Sequence, residues 1–200
     1  MTIKLVLGGF TLNTCSVYTP QVGLGEEEKK NFWEVLDEVV RGVPSSEKIF
    51  IEGDFNRHIG YLLLGYDDVH GGFGFGFRND EGDALLDFAR AFRLVVVNSS
   101  FSKKEEHLVT FRDKVAKTQI DFLLLRKGGR SLCRDYKVIS SENLATQHRL
   151  LVMDLVIKKG KMKWGGKGRS RVRWGNLSSV SAIEIEAKLK GMRVWEHRED

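Results

Sequence analysis

Long hydrophobic runs are missing from this chain of 200 residues. No apolar stretch approaches the ~20 residues that a helix needs to cross a bilayer, so no membrane span is expected. Cysteine is scarce. Cys15 and Cys133 stand alone, at no metal-ligand spacing, and their apolar surroundings predict buried thiols of an intracellular protein. The two prolines, Pro20 and Pro44, each fall where a periodic segment stops. The opening Met1-Thr2-Ile3-Lys4 lacks the basic, apolar and small-residue order of a secretory leader, and no internal repeat is visible.

Acidic residues are absent from one segment. Residues 158–173 carry eight cations (Lys158, Lys159, Lys161, Lys163, Lys167, Arg169, Arg171 and Arg173) and no Asp or Glu. Residues 174–200 sum to −1, so the net +5 of the whole chain leaves −2 for residues 1–157. The basic character therefore belongs to one stretch, and the remainder is mildly acidic. With 42% hydrophobic residues, the chain has enough apolar material for one domain with a tail.

What is present reads as mixed α/β. Ile3–Leu7 and Phe10–Val17 alternate around Gly8-Gly9, a hairpin pattern, and Pro20 ends the second strand. Glu26–Arg41 is helical by period, with acids first and Arg41 last, and Gly42 and Pro44 stop it. A second helix is expected over Asp80–Phe92. Strands are expected at Lys48–Ile51, Leu94–Val97, Leu108–Phe111, Gln119–Leu125, Tyr136–Ile139 and Leu150–Ile157. Two helices among seven or eight strands in hairpin-like succession predict α/β layers with mostly antiparallel or mixed sheets. The run Gly71-Gly72-Phe73-Gly74-Phe75-Gly76-Phe77 is a loop. It looks like a phosphate cradle, but no lysine and serine or threonine pair closes it. Domain limits are placed at 1–157, with a basic Lys/Arg/Gly/Trp linker over 158–177 and a helical segment over 178–200.

Four short motifs carry chemistry. Gly53-Asp54-Phe55-Asn56 follows an apolar strand and puts an acid and an amide on one tight turn. Residues two apart on a strand share a face, so Asp54 and Asn56 are expected to face one volume. A carboxylate to take a proton and an amide to hold an oxyanion suit attack of water on phosphorus; a hydrogen-bonded turn is the plainer reading of the same residues. Asp121 interrupts the apolar strand Ile120–Leu125, either as half of a pair or as a strand-end acid. His148 sits where the last strand begins, as a structural or a catalytic imidazole. Tyr18 ends its strand with a hydroxyl suited to a phosphate or to the rim of the core.

In order, Tyr18-x-Pro20, Gly53-Asp54-x-Asn56, Ile120-Asp121-Phe122 and Gln147-His148 resemble the endonuclease/exonuclease/phosphatase superfamily, which includes DNase I-like nucleases. The likeness is nearer still to the craniofacial development protein 2-like group, derived from endonuclease domains of non-LTR retrotransposons. The phrases Val17–Leu24, Phe32-Trp33-Glu34, Asn98–Phe101, Lys117–Asp121 and Thr146–Leu150 carry it, across about residues 2–157. The resemblance implies an incomplete DNase I-like two-sheet sandwich flanked by helices, and Mg²⁺-assisted hydrolysis of a DNA phosphodiester in an intracellular setting, the nucleus included. It implies Asp54 as general base, Asn56 and Tyr18 on the phosphate, His148 stabilising charge there, and Asp121 orienting the imidazole.

Two departures from the pattern bear on activity. The family carries an asparagine and a metal-binding glutamate upstream of the tyrosine motif, whereas only 17 residues precede Tyr18 here and none is acidic. The sequence therefore reads as N-terminally truncated. Gln147 also stands where most of the superfamily has aspartate, leaving a neutral and weak metal donor. Both departures predict impaired catalysis and an incomplete Mg²⁺ site. The alternative is a catalytically inactive nucleic-acid-binding or scaffold relic of the same fold. In that reading Lys158, Lys159, Lys161, Lys163, Arg169, Arg171 and Arg173 grip phosphates, or serve as a solvated linker. A phosphatase of small molecules finds no support in any headgroup-selecting motif. Oligomeric state is not legible.

Overall fold

A computed structural model of the chain describes residues 1–7, 10–20, 25–143 and 147–157. The basic residues from Lys158 to Arg173, and the helical segment expected beyond them, lie outside the described residues.

The amphipathic patterns build a central sheet of five strands in the order β1-β2-β3-β7-β4. β1 (Thr2–Leu7) pairs antiparallel with β2 (Phe10–Tyr18), and β2 lies parallel to β3 (Lys48–Asp54). Two of the remaining strands, β4 (Leu94–Val96) and β7 (Asp121–Arg126), are antiparallel to their neighbours. A short β5–β6 hairpin (Phe111–Arg112 with Lys117–Thr118) and a longer β8–β9 ladder (Cys133–Asn143 with Arg149–Leu155) complete the described strands. The sheets are mostly antiparallel and none closes into a barrel among the described residues.

Each face of the central sheet buries its own core, as alternation along a strand requires. Ile49, Ile51, Phe122 and Leu124 face the helices α1 (Glu26–Gly42) and α2 (Asp80–Ala91), where they meet Leu36, Val40, Leu85 and Leu86. Phe50, Leu123 and Leu125 face the other way, onto Tyr136 and Val138 of β8 and Leu151 and Met153 of β9. The helices keep the charge order expected of their dipoles, with Glu26, Glu27 and Glu28 opening α1 and Arg41 in its last turn. Asn79 caps α2 by accepting from Gly82 N. Both cysteines are free and buried, and burial pushes the Cys133 thiol up to about 11. No helix among the described residues is long and apolar enough to cross a membrane.

The strand expected at Leu108–Phe111 is largely absent. Glu105–His107 winds into a 3-10 turn, and Leu108 and Val109 bury as loop residues, so pairing starts only at Phe111. Thr110 explains the break. Its N–H donates to Thr118 O, but its hydroxyl accepts from Ile120 N and Asp121 N, replacing ladder bonds with side-chain ones.

Candidate active site

Strand register assembles the site. Tyr18 of β2 lies opposite Asp54 of β3, and Asp54 lies opposite Asp121 of β7. Directly opposed residues share a sheet face, so three residues far apart in sequence form one row at one end of the sheet. The parity of the strands puts that row on the side facing β8 and β9, because Phe50, Leu123 and Leu125 occupy the same face below it. Gly53 makes the arrangement possible. Its φ is +149°, and a Cβ there would stand 1.9 Å from Val17 O, so a side chain would push β2 and β3 apart.

His148 arrives from the strand pair opposite, at the entrance to β9. Its Nδ1 lies 3.2 Å from Asp121 Oδ2 and its Nε2 lies 3.8 Å from Asp54 Oδ2. An ionised carboxylate can only accept, so Nδ1 carries the hydrogen donated to Asp121. The other nitrogen is thereby turned towards Asp54. Phe111 packs edge-on against the imidazole, with ring centroids 5.0 Å apart, and pairs with His148 through an isolated bridge.

Asn56 joins the group by a different route from the one expected. It is not the next same-face residue of a strand, because β3 ends at Asp54 and Asn56 has φ +48°. Instead Asn56 N donates to Asp54 Oδ1 at 2.8 Å, closing an Asx-type turn, and Asn56 Nδ2 donates to Thr19 O at 2.9 Å. The plain hydrogen-bonded turn and the clustering of acid with amide are thus the same feature. Tyr18 is the most exposed member, at 63% of its surface. Gln147 is exposed as well, and its carbonyl accepts from Arg112 N.

Burial holds both carboxylates above their ordinary range. For Asp54, desolvation is the main cause; the N–H of Asn56 pulls the other way, the Asp121 charge adds to the rise, and His148 counters it. For Asp121, desolvation is opposed by the Thr110 hydroxyl and by His148. Such a pair holds protons more tightly than a free carboxylate, which suits a proton acceptor in a partly dry pocket.

Two supporting residues carry no local motif. Asn98, fully buried, donates from Nδ2 to Asp121 O at 3.0 Å and accepts from Leu123 N at 3.1 Å. It continues the hydrogen bonding of β7 where β4 has ended. Thr110 ties the start of β7 to β9, since its carbonyl accepts from Arg149 N. Asn98 opens a phrase that carries the family likeness, yet the sequence marks neither residue as part of the site.

Among the described residues no group of three or more His, Cys, Asp or Glu side chains is placed to hold a metal ion. Asp54 offers a carboxylate, and a magnesium ion there would be held mostly by water and by a substrate's phosphate oxygens.

No family model matches the chain. Craniofacial development protein 2 of Tragulus javanicus and of Bos taurus are each 29% identical to it over 151 residues, 74% of this chain. The match covers 26% and 25% of those proteins, so the chain spans about a quarter of the length of the curated relatives it matches. Among solved structures, the 3′ phosphatase NExo from Neisseria, bound to a product DNA hairpin, superposes with a TM-score of 0.55 at 14% identity, over 78% of this chain and 65% of that one. The endonuclease domain of TRAS1, a telomere-specific non-LTR retrotransposon, gives a TM-score of 0.55 at 13% identity, over 79% and 64%. Likeness at this identity concerns the fold.

Proposed function

We propose that this chain, which shares the fold of DNase I-like nucleases and is similar in sequence to craniofacial development protein 2, hydrolyses phosphodiester bonds of DNA at the Asp54–Asp121–His148 cluster. The observation that carries the reading is the row of Tyr18, Asp54 and Asp121 across three strands, closed by His148 from the opposite pair.

Asp54 accepts a proton from water as the water oxygen bonds to phosphorus. Its raised proton affinity makes it a better base than a solvated carboxylate. The P–O bond to the leaving sugar oxygen breaks, and that oxygen takes a proton from solvent. His148 is steered by Asp121 so that Nε2 faces the reacting group, where it stabilises charge building on the phosphate. The Asn56 amide nitrogen has two hydrogens; one is held by Thr19 O and the other serves a phosphate oxygen. Tyr18, at the exposed end of the row, contacts the next phosphate oxygen. When bound, Mg²⁺ supplies positive charge to the phosphate. Because Gln147 brings no charge to that ion, turnover is expected to be slow and strongly dependent on Mg²⁺ concentration.

The test is nicking of supercoiled plasmid with Mg²⁺ titrated into the millimolar range. The wild type is expected to nick DNA and His148→Ala to fall to background. Equal rates for the two proteins refute the catalytic reading. DNA binding without any cleavage by the wild type points instead to a non-catalytic protein that kept the fold.

A further inference from the structure

Immediately after Asn56 the chain makes an irregular excursion over residues 57–79 before α2 begins, and this excursion presents an apolar face that the chemistry above does not use. Tyr61, Leu62, Leu64, Phe73 and Phe77 are all exposed, Phe77 to 76% of its surface. They come from both arms of the loop. The rings of Tyr61 and Phe77 lie 6.1 Å apart, and Arg78 joins the arms by donating to Leu63 O at 3.2 Å.

The face is held rigidly. In the alternating run Phe73-Gly74-Phe75-Gly76-Phe77 the middle ring turns inward and packs on the core beneath β8 and β9. The flanking rings are left outside. Phe75 N donates to Gln119 Oε1 at 3.0 Å, and Phe73 N donates to Ser99 O at 3.0 Å. Gly74 sits so close to the facing arm that a Cβ there would come within 2.0 Å of Gly60 O. His70 binds Gly60 O across the same loop at 3.0 Å. Exposed rings on a pinned backbone lose little freedom when they bind.

Position decides what they bind. The loop springs from the residue that closes the Asp54 turn, and its anchor, Gln119, lies two residues before Asp121. Nearby, Arg112 and Arg149 line a cavity of about 420 Å³ together with Lys104, Lys117, Glu105 and Glu106, and Arg149 directly follows His148. The loop is thus anchored beside the same end of β7 that carries Asp121. Paired duplex keeps its base faces stacked inside the helix and leaves such rings only sugars and phosphates to pack on. An unpaired base offers a π face.

We propose that Tyr61, Phe73 and Phe77 form a stacking platform for unpaired bases beside the scissile phosphate, so that the protein selects DNA whose strands are open at the site of cleavage. The proposal rests on the phosphodiesterase reading for its placement, but its test does not require turnover.

Binding is measured in EDTA with fluorescent duplexes of one sequence, either fully paired or carrying a three-base bubble containing 2-aminopurine. The wild type binds the bubble at least tenfold more tightly, with a change in 2-aminopurine emission, as expected for about tenfold per stacked base. Tyr61→Ala/Phe77→Ala loses that preference and the emission change while binding paired duplex as before. Phe77→Leu, which keeps the apolar surface without the ring, also loses most of the preference. Equal binding of both duplexes by the wild type, or a preference retained in the double variant, overturns the proposal. So does self-association in sedimentation that Phe77→Ala abolishes without any effect on the bubble. A bubble preference in a protein that never cleaves upholds the platform and removes the catalytic reading; cleavage of duplex without a preference does the reverse.

Discussion

Replacing Asn98 by alanine tests how the row of site residues is held. Its amide makes two hydrogen bonds to the backbone of β7, one at Asp121 O and one at Leu123 N, and the side chain has no solvent exposure. Alanine cannot make either bond, and the vacated space is enclosed. A buried backbone group left unpaired costs about 1–3 kcal/mol, so two such groups place the loss near ~3 kcal/mol. A domain of this size has about 5–15 kcal/mol to lose, so the variant is expected to fold. Urea unfolding followed by tryptophan fluorescence reads the difference as a lowered midpoint at unchanged slope. The loss also acts at the site, because the released segment begins with Asp121, the partner of His148. Cleavage is therefore expected to fall further than the folded fraction does. Asn98→Asp supplies the control: it keeps an acceptor for Leu123 N but sets a carboxylate against the Asp121 carbonyl, and it is expected to be at least as damaging. A loss below about 0.5 kcal/mol in Asn98→Ala, with cleavage intact, would refute the role given to this amide.

Three further outcomes follow from the site. Asp54 and Asp121 hold their protons more tightly when folded, so the folded chain binds more protons than the unfolded one just above the ordinary carboxylate pKa of 3.8. Stability is accordingly lost as pH rises from that value through the raised folded pKa, and Asp54→Asn should stabilise the protein above this window and not below it, as unfolding at several pH values would show. Cleavage should rise with pH through the same raised value, giving an acid limb above that of a free aspartate. Gly53→Ala forces a Cβ to 1.9 Å from Val17 O in a backbone region unfavourable to side chains, and is expected to cost at least about 3 kcal/mol or to prevent folding, measurable by circular dichroism and yield.

The elements and the four motifs were legible because their signals are local. Alternation gave β1, β2 and β3, the 3.6-residue period gave α1 and α2, and turn residues marked the strand end before Asn56. The family likeness supplied the grouping of Tyr18, Asp54, Asp121 and His148. Their geometry was not legible, since it comes from register: nothing local says that Tyr18, Asp54 and Asp121 fall opposite one another across β2, β3 and β7. Asn98 and Thr110 were missed as supports because each acts on backbone ten or more residues away. Leu108–Phe111 misled for a related reason, its apolar residues burying without pairing. Asn56 was expected beside Asp54 by strand geometry, whereas a left-handed turn residue brings it there.

The most direct measurement is a double-mutant cycle on DNA cleavage, using Asp54→Asn, His148→Ala and the two together at matched folded fraction. Groups that serve one transition state lose their effects together, so the double variant is expected to be about as slow as the worse single one. Fully additive losses would show two independent sites of action, and a wild type that cleaves no faster than the double variant would contradict a common catalytic cluster altogether.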